Sequence, residues 1–157
     1  MKKYWYDWTE MRRDVNSLCR EILLDNFNPD IIVGISRGGL VPGIMISHWF
    51  KKPFHPLKAS LRDFPEWETY LPRSQDKQIL IVDDICDSGE TFKRIKDSIN
   101  EYAISTSNKK LADVRFASLW WNNEVEFKPC YHAQEMAKDS TQTWIHFPWE
   151  AWWNAPV

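Results

Sequence analysis

The apolar positions of this chain fall into two rhythms that alternate along its length. Met11, Val15, Leu18, Ile22 and Leu23 recur at helical spacing, which predicts an amphipathic helix over residues 9–26. Asp7 or Thr9 stands where a cap is needed, and Asn28-Pro29-Asp30 ends the pattern. The run Ile31 to Ile35 (IIVGI) is continuous and rich in β-branched residues, the signature of a strand buried on both faces. Residues 40–50 (LVPGIMISHWF) predict a helix with Pro42 in its first turn, where a missing N–H costs nothing. Residues 54–61 predict a strand. Residues 62–77 (RDFPEWETYLPRSQDK) are polar, carry two Pro and show no period, so they predict a long loop. Ile79 to Val82 predicts a second buried strand. Phe92, Ile95, Ile99 and Tyr102 mark a helix after it, Val114 to Trp120 a third strand, and residues 129–136 a fourth. The stretch from Thr143 to Trp153 (TWIHFPWEAWW) is aromatic and reads as irregular.

Strand, turn and helix in repetition predict an α/β fold, a mostly parallel twisted sheet flanked by helices, as a single domain over residues 1–157. Open sheets of this kind bind ligands beyond the carboxyl ends of their strands. Two glycine-containing turns fall at such ends, Ser36-Arg37-Gly38-Gly39 and Asp83 to Thr91.

Composition narrows the partners. At 157 residues, 43% hydrophobic and 27% charged, the chain has the make-up of an ordinary globular domain. Its net charge of −2 offers no basic footprint for nucleic acid or for a membrane surface. There is no apolar run of membrane-spanning length, and MKKYWYDWTEM carries no signal-peptide core. Cys19, Cys86 and Cys130 form no zinc spacing, which fits free thiols in a reducing cytoplasm. The ten Trp are far above the usual share and hint at contacts between subunits of a homo-oligomer, a dimer or tetramer.

The stretch ILIVDDICDSGET, residues 79–91, poses a physical problem. A buried strand runs straight into Asp83, Asp84 and Asp87, which repel one another. The turn Asp87-Ser88-Gly89-Glu90-Thr91 joins strand to helix, so its backbone N–H groups converge where the helix dipole favours an anion. Gly89 permits close approach, and Ser88 and Thr91 add hydroxyls. That is a phosphate cup, although neither GxxxxGK[ST] nor GxGxxG is present. Asp83 and Asp84 suit a pair of sugar hydroxyls and can hold Mg²⁺ directly or through water. A phosphate cup beside diol-binding acids describes a ribose 5-phosphate site.

These residues closely resemble the phosphoribosyl-pyrophosphate motif of type I phosphoribosyltransferases. VGISRGGLVPG, residues 33–43, resembles the pyrophosphate loop of the same family. There Gly38 and Gly39 let backbone amides face an anion, and Arg37 offers a planar fork of donors. In the family this loop often holds a non-proline cis peptide, which by position lies between Ser36 and Arg37. TWIHFPW, residues 143–149, is similar to the base-binding segment of bacterial xanthine–guanine phosphoribosyltransferases. The similarity extends from Trp5 to Trp149.

The resemblance implies the type I fold with a small aromatic C-terminal hood over about residues 122–157 and a flexible catalytic loop at 62–77. It implies transfer of a phosphoribosyl group from 5-phosphoribosyl 1-pyrophosphate to a nitrogenous base, with Mg²⁺ as cofactor. Purines are favoured, guanine, xanthine or hypoxanthine. Arg37 with Mg²⁺ would neutralise the departing pyrophosphate, helped by Ser36, Gly38, Gly39 and either Arg62 or Arg73. Asp83, Asp84, Asp87, Ser88, Gly89, Glu90 and Thr91 would hold ribose and 5-phosphate. Asp87 faces the base and moves a proton. Trp144 stacks on the base and the backbone of Ile145 meets its edge.

Two departures bear on substrate choice. In the 6-oxopurine enzymes a Lys on the strand after the ribose-phosphate helix donates to the purine O6; here Trp121, Asn122 and Asn123 stand at the end of that strand, with no Lys among them. Asn122 or Asn123 could meet a 6-oxo or a 6-amino group, and Lys128 is nearby in sequence. Adenine and pyrimidines therefore remain open, as does a non-catalytic regulator binding the same sugar diphosphate. Glu90 stands where many relatives have Gly, and repulsion from phosphate predicts that its side chain turns to solvent.

Overall fold

The computed structural model describes residues 1–58, 78–105 and 113–156, the last four residues of 78–105 by backbone only. The sequence-predicted loop at 62–77, with Arg62 and Arg73, lies outside them.

The first strand, β1 (Lys2–Trp5), leads into α1 (Trp8–Leu24). Asp7 caps α1 as expected: its carboxylate accepts from the Glu10 N–H at 2.8 Å, and Glu10 accepts from the Asp7 N–H at 3.0 Å. β2 (Ile31–Ser36), α2 (Leu40–Phe50) and β3 (Phe54–Lys58) follow. Next come β4 (Gln78–Cys86), α3 (Glu90–Ser105), β5 (Asp113–Asn122) and β6 (Tyr131–Met136). The chain closes with α4 (Lys138–Thr141), β7 (Thr143–His146) and a 3₁₀ turn at Trp152–Asn154.

β2 to β6 form a five-stranded sheet in the order β3-β2-β4-β5-β6. Every pairing in it is parallel. Alternation along the central strands sends side chains to two cores. Ile32, Leu80 and Val82 join Ala117 and Leu119 against Met11, Val15, Leu18 and Ile22 of α1 and Ile46 of α2. Val33, Ile35, Ile79 and Ile81 face Phe92, Ile95 and Ile99 of α3. Helices thus cover both faces, which is why these strands read as unbroken apolar runs.

Two features depart from the sequence expectation. β4 does not stop at Val82; it continues through Asp83 and Asp84 to Cys86, because β5 supplies partners Ser118, Trp120 and Trp121 along that length. The acids therefore sit on a strand, and only Asp87 to Gly89 turn. The C-terminal stretch is not wholly irregular either. β7 pairs in parallel with β1, Lys3 beside Trp144 and Tyr4 beside Ile145, in a separate two-stranded sheet. Much of the aromatic surplus is spent here. Tyr6 meets Trp120 and Phe147 edge-on, Phe147 stacks on Trp149 at 5.2 Å, and Trp5 stacks on His146 at 4.4 Å. These contacts fasten the hood to the chain's N-terminal end and to β5.

Candidate active site

The carboxyl ends of β2 and β4 meet at a pair of glycines. Beyond β2 the chain turns so that the Gly39 N–H donates to the Ile35 carbonyl at 2.7 Å. A Cβ built on Gly39 would lie 2.2 Å from the Val82 carbonyl oxygen of β4. A Cβ on Gly38 would lie 2.2 Å from Oδ2 of Asp84. No side chain fits at either position, so the turn can lie against the strand only with glycine there. The Ser36–Arg37 peptide bond is cis. Arg37 itself is exposed, free to reach an anion.

Asp83 and Asp84 order each other: Asp83 Oδ1 accepts from the Asp84 N–H at 2.9 Å, and Asp84 Oδ1 from the Ile85 N–H at 2.7 Å. Burial, then repulsion from Asp84, holds Asp83 far above the usual carboxylate range. Burial raises Asp84 to about 6, with Glu150 of the hood adding repulsion. Both carboxylates are thus held where ionisation is unfavourable unless a cation or hydroxyl donors arrive. They are hard oxygen donors, the type that Mg²⁺ takes. Among the described residues no group of three or more His, Cys, Asp or Glu could hold a metal ion.

Asp87 to Thr91 turn the chain from β4 into α3. Gly89 adopts φ +80, and a Cβ there would stand 2.6 Å from Cβ of Phe127. Phe127 thus backs the turn, while Trp121 Nε1 donates to the Phe127 carbonyl at 2.9 Å and fixes that segment. Ser88 is exposed, Thr91 half-buried, and Glu90 exposed.

On the other side stands the hood. Trp144 is 45% exposed, whereas the Ile145 side chain is buried in the core, so only the Ile145 backbone remains for a ligand edge. Asn122 lies deeper than the sequence suggests. It is 1% exposed and its amide is spent within the protein. Its Oδ1 accepts from the Lys138 N–H at 3.2 Å and the Glu124 N–H at 3.3 Å, and its Nδ2 donates to Asp87 Oδ1 at 3.4 Å. It therefore holds Asp87 and α4 together rather than offering a free edge to a base. Asn123 is exposed, its N–H donating to the Met136 carbonyl at 2.9 Å. Lys128 sits over the Trp121 ring, its Nζ 5.3 Å from the centroid.

The residue that sequence reasoning missed is Lys138. Its Nζ donates to Asp87 Oδ2 and lies 4.8 Å from the Trp144 ring centroid. Ala137-Lys138-Asp139-Ser140 carries no local pattern that would have singled it out; only the fold brings it beside Asp87.

An acid pair with Asp84 buried, a glycine-containing turn on each side of it and the exposed indole of Trp144 beyond them make up the candidate site. The phosphoribosyl transferase domain family matches residues 5–155, and the chain belongs to that family. Among curated proteins it is similar to the xanthine-guanine phosphoribosyltransferase of Chromohalobacter salexigens, 26% identical over 95% of this chain and 85% of that protein. It is also similar to the hypoxanthine-guanine phosphoribosyltransferase of Schizosaccharomyces pombe, 24% identical over 88% of this chain and 86% of that one. Its fold matches the crystal structure of a purine phosphoribosyltransferase from Pyrococcus horikoshii with a TM-score of 0.73 and 22% identity, over 100% of this chain and 98% of the other.

Proposed function

We propose that the protein joins a purine base to 5-phosphoribosyl 1-pyrophosphate, giving a nucleoside 5′-monophosphate and pyrophosphate. Guanine, xanthine and hypoxanthine are the favoured bases, which agrees with the names its relatives carry. The observation that carries this reading is the contact of Gly38 with Asp84, which sets the Ser36–Gly39 turn against the acid pair Asp83–Asp84.

In this reading the bond from ribose C1 to the pyrophosphate oxygen breaks, and its electron pair leaves with pyrophosphate. A base nitrogen bonds to C1, and the proton it loses is taken up by Asp87. Positive charge gathers on the sugar as the bond stretches. The turn Asp87–Thr91 holds the 5-phosphate and fixes the ribose, removing much of the entropic barrier. Arg37 and the amides of Ser36–Gly39 stabilise the departing charge. Asp83 and Asp84 hold the ribose hydroxyls and would hold Mg²⁺. When bound, that ion neutralises charge on pyrophosphate. Trp144 stacks on the base, and Asp87 faces its imidazole ring and holds a proton there.

Three free cysteines, Cys19, Cys86 and Cys130, support a reducing cytoplasmic setting. Among the described residues no helix is long and apolar enough to cross a membrane. Trp152 and Trp153, 67% and 69% exposed on the hood, support a homo-oligomer.

The test is pyrophosphate release with Mg²⁺ and the sugar diphosphate across guanine, xanthine, hypoxanthine, adenine, uracil and orotate. Base-dependent release that is lost in Asp87→Asn and Arg37→Ala is expected. Saturable binding of the sugar diphosphate with no release from any base would replace the transferase with a regulator.

A further inference from the structure

The family's base-reading lysine is missing from the end of β5, yet a lysine ammonium stands in the site. We propose that Lys138, carried on α4, selects the 6-substituent of the purine, and that Asn122 is the positioning residue that sets it there. This rests on the purine reading above.

The placement of Lys138 is built, not incidental. α4 has four residues, far too few to hold a helix alone, and Ala137 gives it no side-chain cap. Its open N–H groups are satisfied from the turn after β5. Asn122 Oδ1 takes the Lys138 N–H. Glu124 Oε2 takes the Asp139 N–H at 2.6 Å and the Ser140 N–H at 3.0 Å, and its other oxygen takes the Ser140 hydroxyl. The end of β5, which lacks the lysine, thus constructs the short helix that supplies one. Asn122 Nδ2 also reaches Asp87, so one buried amide registers both members of the Lys138–Asp87 pair.

The chemistry follows from what an ammonium can do. It has three donors and no acceptor. One donor goes to Asp87, leaving others for a ligand, and Nζ lies over the indole of Trp144, on which a base would stack. The Lys138 side chain is only 17% exposed, so water competes weakly for those donors. A 6-oxo group accepts from the ammonium. A 6-amino group sets donor against donor and leaves both unpaired, the kind of mismatch by which a polar site discriminates strongly. The site therefore takes 6-oxopurines and rejects 6-aminopurines.

Hypoxanthine and adenine test this directly, since they differ at position 6 and in the tautomeric hydrogen that goes with it. Two ratios are read in wild type, Lys138→Met, Lys138→Arg and Asn122→Ala. The first is kcat/KM for hypoxanthine over adenine. The second, by calorimetry, is the affinity for inosine over adenosine 5′-monophosphate. Wild type is expected to favour the oxo compounds, and Lys138→Met to lower the ratios by roughly 100-fold. Lys138→Arg should recover part of the loss. Asn122→Ala should lower the ratios by raising KM for hypoxanthine more than it lowers kcat. In all three, any change in KM for the sugar diphosphate should be the same with either base, so that a general loss of structure cancels from the ratios. Ratios in Lys138→Met within twofold of wild type would overturn the proposal, as would a wild type with no preference. If no base is turned over but the nucleotide ratio still falls in Lys138→Met, the transferase reading fails and the assignment of Lys138 stands. Binding of neither nucleotide overturns both.

Discussion

Gly38 lies against the carboxylate of Asp84, so close that a methyl group at residue 38 would stand 2.2 Å from Oδ2. The two residues belong to separate motifs at the ends of β2 and β4. Their contact turns two local patterns into one site. Gly38→Ala is expected to push the turn off the strand, because Asp84 is buried and cannot swing aside. Activity should fall by more than about 100-fold, with a stability loss of roughly 1–3 kcal/mol. Steady-state kinetics with denaturant melts will check this; a variant with near wild-type kcat/KM would show that the turn tolerates a Cβ.

The acid pair should make the unliganded protein less stable as pH rises. Asp84 has a folded pKa of about 6 against an ordinary 3.8, and Asp83 is raised as well. The folded state thus holds protons that the unfolded chain releases. This relative stability is full below about pH 4 and is lost as pH passes through 6. Asp84→Asn keeps an oxygen for the Ile85 N–H and removes the charge. It should be more stable than wild type above pH 6, by roughly 1–3 kcal/mol, with the difference closing near pH 4. It should also lose activity. Melting curves from pH 4 to 8 read the sign; equal stabilities at pH 8 would mean that the carboxylate is not strained there. Mg²⁺ with the sugar diphosphate should narrow the gap.

The turn Asp87–Thr91 depends on Gly89 for two reasons. Its φ of +80 disfavours an L side chain, and a Cβ would meet Phe127 at 2.6 Å. Gly89→Ala should cost roughly 1–3 kcal/mol and raise KM for the sugar diphosphate by at least about tenfold, with a smaller change in KM for the base. Equal increases in both would mean that the whole site has shifted rather than the cup alone.

What was legible in the sequence is what rests on neighbours along the chain. IIVGI and ILIV read as strands because both faces are covered, and Gly39 and Gly89 read as turns because backbone must come close there. β1 was not legible. Lys2 to Trp5 is short, charged and aromatic, and it is a strand only because β7 lies beside it. Asp83 and Asp84 read as a turn because acids are poor strand residues, yet β5 keeps them paired. Lys138 was hidden for the same reason. Its place depends on Glu124 and Asn122, which neither periodicity nor propensity connects to it. Asn122 stood out as a site residue, but burial spends its amide on holding Asp87 and Lys138 in place.

Trp144 separates binding of the base from stability of the fold. It is 45% exposed, with Lys138 Nζ over one part of the ring, 4.8 Å from its centroid. Trp144→Ala removes the stacking surface and should raise KM for the base by roughly 10- to 100-fold. Because the side chain is not in the core, the melting temperature should shift by less than about 3 °C. Trp144→Phe keeps an aromatic face and should recover most of the affinity. KM for the sugar diphosphate should change little, since the phosphate turn lies on α3 and not on the hood. Kinetics with each substrate varied in turn will decide it. Trp144→Ala with an unchanged base KM would mean that the base stacks elsewhere, and a large fall in melting temperature would mean that Trp144 serves the fold.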